Sequence, residues 1–165
     1  MTKIDYSKIK IADRVDYAGP ILNPICIGIR TFSAGAKNAF NKDIRTHTGI
    51  VVEFAGQYLV CGMRKMIALE SLEDKEIVGI YRHPNITDEA RLTINKQVAI
   101  DFRRQTEYNY TGLGGFVLPD VFKDTPNHFF CSQYYVYSTK PWIEYIKTRY
   151  APQDLTIMAD WEKII

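Results

Sequence analysis

Apolar and polar residues alternate from Ile9 to Tyr17, which predicts a short opening strand closed by the turn signal Gly19-Pro20. The pattern then changes to helical spacing. Ile25, Ile29, Phe32, Ala36 and Phe40 recur every three or four residues behind Pro24, a residue suited to a first helical turn, and predict a helix with one face on a sheet. Thr46 to Phe54 is rich in β-branched residues and reads as a strand, joined through Ala55-Gly56 to a second strand, Gln57 to Met63. Met66 to Leu72 supplies a further short strand or turn, and Glu76 to Arg82 a strand that stops at His83-Pro84. Thr87 or Asp88 caps a helix that carries Leu92, Ile94, Val98, Ile100 and Phe102 and ends near Glu107. Tyr108 to Gly115 is a Gly-rich bend, and Phe116 to Phe122 an apolar stretch broken by Pro119. Asn127 is the expected cap of an aromatic helix, Phe129 to Tyr137, that stops before Pro141, and the tail turns at Pro152 before a last amphipathic piece.

Strand, helix, three strands, helix, loop, helix is the order of an α+β fold with an antiparallel sheet packed against helices. Its 165 residues, 46% of them hydrophobic, suit one domain spanning 1–165 with a substantial core. A net charge of +2 creates no strong phosphate-attracting field, so no nucleic-acid partner is expected. No apolar run approaches the ~20 residues of a membrane span, and the first ten residues hold no apolar signal segment, so no integral membrane segment and a cytoplasmic location are expected. Three widely spaced cysteines, Cys26, Cys61 and Cys131, with no C-x-x-C pair argue against a disulfide framework and a thiolate zinc site. Neither a metal nor another cofactor is expected.

Cys131 is the candidate nucleophile, because a cysteine near a helix N-terminus has its thiolate stabilised by unpaired backbone N–H groups, which could also form an oxyanion hole. His47, at the beginning of a strand, is the best of the three histidines for a base. Strand alternation puts His47, Gly49, Val51 and Glu53 on one face, where Gly49 leaves room for a helix to approach the imidazole. His128 is an alternative base, three residues before Cys131, though a surface or capping role suits it better. His83 reads as a loop residue. Cys26 and Cys61 sit in apolar patterns and read as core, Glu70, Glu73, Asp74 and Glu76 as a solvated turn, and the eleven tyrosines as amphipathic packing. The glycines after Tyr110 lack a P-loop lysine.

Five ordered motifs carry a resemblance: Asp13-Arg14-Val15; Ile29-Arg30; Thr46-His47-Thr48-Gly49-Ile50-Val51-Val52; Tyr108-Asn109-Tyr110-Thr111-Gly112-Leu113; and Phe129-Phe130-Cys131-Ser132-Gln133. In this order and spacing they resemble the circularly permuted papain-like hydrolases of the NlpC superfamily, the YiiX-like and YebB-like branch, over roughly Ile11 to Asp154. The resemblance implies a permuted papain-like fold in which the histidine strand precedes the cysteine helix. His47 would then be the general base, Cys131 the nucleophile, and Tyr108 and Ser132 substrate-binding residues. The family places a histidine-orienting polar residue on the next strand, and around Val60-Cys61-Gly62 the chain has no carboxylate or amide. Glu53 and Glu70 are the candidates for that role, and a backbone carbonyl or a Cys–His dyad would also serve. Ser132-Gln133 stands where the family commonly has Ser-Glu.

The expected activity is therefore hydrolysis of an amide or ester in a peptide, peptidoglycan peptide, acyl-lipid or other small molecule. A cell-wall substrate would require a route of export such as phage-mediated lysis. From a different class, the same fold could serve as a non-catalytic binding module whose cleft holds an acyl or peptide ligand.

Overall fold

A computed structural model describes residues 4–72, 77–111, 125–146, 150–158 and 160–165. The apolar stretch Phe116–Phe122, the Gly-rich bend beyond Thr111, and Glu73, Asp74 and Glu76 lie outside them.

The hairpin expected from the β-branched run is formed by β2 (His47–Phe54) and β3 (Gln57–Met63). Its turn residues both take positive φ, 52° at Ala55 and 77° at Gly56, the twist that antiparallel strands need in a two-residue connection. β4 (Ile67–Ser71) continues the meander, so the Met66–Leu72 segment is a strand. β1 (Arg14–Tyr17) and β5 (Ile77–Arg82) pair with each other, β1 also pairs with β2, and a two-residue strand β6 (Glu162–Lys163) closes the far edge. The sheet has six antiparallel strands in the order β4-β3-β2-β1-β5-β6. With its helices it makes an α+β architecture.

Two helices cover one face. α2 (Asp88–Arg103) is capped by Thr87, whose hydroxyl accepts from the Ala90 N–H, with Asp88 and Glu89 in the first turn where negative charge suits the helix dipole. α3 (Cys131–Thr139) lies against β2, and together they bury Ile50, Val52, Cys61, Met63, Ile94, Val98, Tyr134 and Tyr135. The other face carries a smaller cluster of Val15, Tyr17, Val51, Val60, Leu72 and Ile80, covered from both chain ends by Ile4, Ile9, Ile164 and Ile165.

Three expectations are corrected. The opening strand begins only at Arg14, because Ala12 takes φ 66° and Asp13 turns its carboxylate onto the Lys10 N–H and onto Arg82 and Arg91. α1 (Pro24–Ala34), capped by Asn23, stops at Gly35, whose φ of 87° breaks the pattern that continued to Phe40. Its close helical neighbour is α4 (Pro152–Ile157), and its one fully buried side chain is Arg30. Thirdly, the aromatic helix begins at Cys131, not beside Asn127.

Beneath the sheet's centre runs a line of buried charge. Arg14 lies 3.2 Å from Asp16, both fully buried, donates to the Leu155 carbonyl, and stacks its guanidinium on Tyr81 and Trp161. Asp16 in turn accepts from the Thr48 hydroxyl at 2.9 Å, next to the candidate site.

Candidate active site

The start of α3 is set by a contact from a distant part of the chain. Phe129 pairs with Tyr108 in a parallel bridge: its N–H donates to the Glu107 carbonyl at 3.2 Å, and its carbonyl accepts from Asn109 at 3.1 Å. An extended backbone is thereby imposed through Phe130, at φ −88° and ψ 168°. Helical geometry begins at the next residue, so Cys131 itself occupies the first position. Gln133 reaches back to accept from the Phe130 N–H at 3.4 Å, which an amide oxygen can do as well as a carboxylate. Asn127, the expected cap, sits three residues too early, in a turn with φ 60°. A phenylalanine at the cap offers no side-chain oxygen to the first-turn N–H groups, and the Ser132 N–H turns to the Cys131 sulfur instead.

A second N–H reaches the same sulfur from the sheet. The β2–β3 ladder runs from Gly49↔Gly62 to Phe54↔Gln57, and one residue beyond its end the Thr48 N–H donates to Cys131. Burial dominates the thiol's ionisation and pushes its pKa up to about 11, against the downward pull of the two N–H donors and the Arg64 guanidinium; Asp16 adds to the rise. Only 4% of Cys131 is exposed. The resting thiol is therefore protonated at neutral pH, and its pKa is not lowered as a helix N-terminus alone would suggest.

His47 is the first residue of β2 and is 7% exposed. It lies opposite Tyr17 of β1, with ring centroids 5.7 Å apart, and its Nε2 edge rests on Gly62 of β3, where a Cβ would come within 2.9 Å. Alternation along β2 puts His47 on the side of Tyr17 and Val51, whereas α3 covers the side of Ile50 and Val52. The thiol and the imidazole thus reach the same end of the same strand from opposite faces of the sheet, with the His47–Thr48 peptide between them. The space at Gly49 is taken by Val60, whose Cγ1 would stand 2.3 Å from a Cβ there; it does not admit a helix.

The other candidates separate. Gly62 occupies the spot beneath His47 where the family resemblance would put a polar orienting group. Glu53 shares the imidazole's face but lies six residues along the strand, about 20 Å away at ~3.3 Å per residue, and is exposed. Glu70 receives the Arg64 guanidinium at 3.0 and 3.4 Å, and thereby holds the cation that acts on Cys131. Tyr108 packs against the main core and meets the Tyr110 ring at a tilt of 47°, with centroids 4.7 Å apart. Burial pushes its phenol pKa well up, and the neighbouring Cys131, Tyr110 and Cys26 push it the same way. Ser132 turns its hydroxyl into the core, where it donates to the Tyr150 carbonyl, so only its N–H faces the sulfur. His128 is partly exposed and bonds Glu107 at 3.0 Å and the Pro126 carbonyl at 2.9 Å. His83 packs edge-on against Trp161.

Three contributors were not singled out from sequence: Thr48 through its backbone, Asp16 and Arg64. Hairpin register was the one available signal, since it predicts that the residue after His47 shares its strand end with Arg64.

No protein-family model matches the chain. No curated protein is significantly similar to it in sequence either. Among the described residues, no three His, Cys, Asp or Glu side chains form a group that could hold a metal ion, and no helix is long and apolar enough to cross a membrane.

Proposed function

We propose that the chain is a cysteine hydrolase of the permuted papain-like type, acting on an amide or ester with Cys131 as nucleophile and His47 as general base. One observation carries the reading: Cys131 is the first residue of α3, and its sulfur accepts from the N–H of Thr48, the residue bonded to His47. A thiol raised to about 11 is a poor nucleophile by itself; for His47 to remove the proton as sulfur attacks the carbonyl carbon, the imidazole must swing round the end of β2 to the thiol's side of the sheet. The Ser132 and Thr48 N–H groups, released from the sulfur as it bonds to carbon, are available to the oxyanion. The imidazolium then gives its proton to the leaving amine or alcohol, and the acyl–sulfur bond is cleaved by a water that His47 deprotonates, returning the thiol and the acid.

A second reading, a binding module that keeps the cleft without turnover, is favoured by two features: a glycine beneath His47 and the deep burial of the thiol. Acylation separates them. With the activated ester p-nitrophenyl acetate at neutral pH, Cys131 should be acylated with release of p-nitrophenolate and then turn over, and Cys131→Ala and His47→Ala should each abolish turnover. Absence of an acyl adduct on Cys131 by peptide mass spectrometry, or turnover undiminished in Cys131→Ala, refutes the hydrolase.

A further inference from the structure

We propose that α1 and the loop before it form a docking surface for an anionic lipid bilayer. α1 is built inside out. Ile25 and Phe32 are seven residues apart, about 20° from each other around the helix, and both are more than half or half exposed, at 50% and 55%. The inward side centres on Arg30, roughly 140° from Ile25, which donates to the carbonyls of Gly19 and Pro20 with half-buried Cys26, Ile27 and Ala34 around it. Leu22, 82% exposed, extends the apolar stripe ahead of the helix, and Phe40, 62% exposed, extends it behind. A helix that turns its charge inward and its apolar stripe to solvent has a surface meant for covering.

Charge identifies the occupant. No acidic residue occurs between Asp16 and Asp43, while Lys37 and Lys42 of that stretch are exposed beside the apolar residues. An apolar stripe flanked by lysines, whose one adjoining exposed carboxylate is Asp43 beside Lys42, matches a negatively charged membrane surface. The stripe also borders the candidate site. Cys26 of α1 and Thr46, the residue before His47, flank Gly19, where a Cβ would meet the sulfur of one at 2.5 Å and the hydroxyl of the other at 2.7 Å. A bilayer under α1 would therefore lie near the end of β2 that begins with His47.

The full chain should float with unilamellar vesicles of phosphatidylcholine containing phosphatidylglycerol, more weakly with phosphatidylcholine alone, and less as salt is raised. Leu22→Glu and Phe32→Glu should each lower the partition coefficient at least about tenfold, with circular dichroism unchanged. Leu22 lies outside the helix, so its variant still reads the surface if Phe32→Glu does not fold. Lys37→Glu should remove the preference for anionic vesicles. The proposal is overturned if neither vesicle recruits the protein, or if Leu22→Glu leaves recruitment unchanged. It also fails if sedimentation shows a dimer that Leu22→Glu dissociates while vesicles recruit nothing. None of these readouts involves hydrolysis, so the hydrolase reading stands or falls apart from them.

Discussion

Adding one methyl group at Gly62 tests the position of His47 directly. A Cβ there would lie 2.9 Å from Nε2 and 3.3 Å from Cε1 of the imidazole, short of normal contact by several tenths of an ångström. The ring is buried and stacked near Tyr17, so it must move against packed neighbours, an overpacking cost of about 1–3 kcal/mol. Gly62 lies within a regular ladder, and its φ is not among the positive ones, so alanine carries no backbone penalty. Alanine also restricts the unfolded chain, which offsets about 0.4–1 kcal/mol. Gly62→Ala should therefore destabilise by a net of roughly 0.5–2 kcal/mol in urea unfolding. In a His47→Ala background the clash is gone and only the unfolded-state gain is left, so the same substitution should become neutral or stabilising. This change of sign is the coupling of a double-mutant cycle, and it should be accompanied by slower acylation of Cys131 by the activated ester in the single variant as the imidazole shifts. An equal cost of Gly62→Ala in both backgrounds would show that the imidazole does not rest on Gly62 and would refute the site geometry.

Asp16→Ala should cost about 3–5 kcal/mol in denaturant unfolding, because it strands the buried Arg14 guanidinium and takes the acceptor from Thr48; replacing Arg14 and Asp16 together by apolar residues should cost less than either alone. Stability near neutrality should also carry a signature of His128. Its bonds to the Pro126 carbonyl and to Glu107 raise its pKa above the ordinary 6.5, so its contribution is complete below that value and is lost as pH rises through the folded pKa. The stability difference between the native chain and His128→Gln should be present at pH 6 and vanish on the alkaline side; a difference that grows with pH would overturn the assignment. His83 works in the opposite sense. Burial lowers its pKa, so protonating it opposes the fold, and His83→Gln should reduce the loss of stability as pH falls through 6.5 and below.

Much of the fold was legible locally. The β2–β3 hairpin follows from β-branched alternation on both sides of Ala55-Gly56, and α2 from helical periodicity behind a threonine cap. In both, neighbouring residues satisfy one another, so a short window of sequence holds the necessary information. Where expectation and structure part, a distant partner intervenes. Arg82 and Arg91 claim Asp13 and shorten β1, and Tyr108 claims the backbone of Phe129 and delays α3 until Cys131. The pattern at Pro24–Phe40 showed its apolar stripe but not its direction, since only Gly19 and Pro20, by accepting from Arg30, decide which side of α1 faces inward.

The candidate site divides in the same way. The candidate cysteine and histidine, with their order along the chain and their places at a helix start and a strand start, could be picked out from the residues alone, because chemical type and local pattern are visible in sequence. What surrounds them could not. The burial that raises the Cys131 thiol, the Thr48 N–H at its sulfur, the glycine beneath His47 and the engagement of Glu70 by Arg64 all depend on which strand ends meet which helix. Ionisation and reach are set by the atoms within a few ångströms, and in this protein those atoms come from segments more than eighty residues apart, brought together only by the sheet.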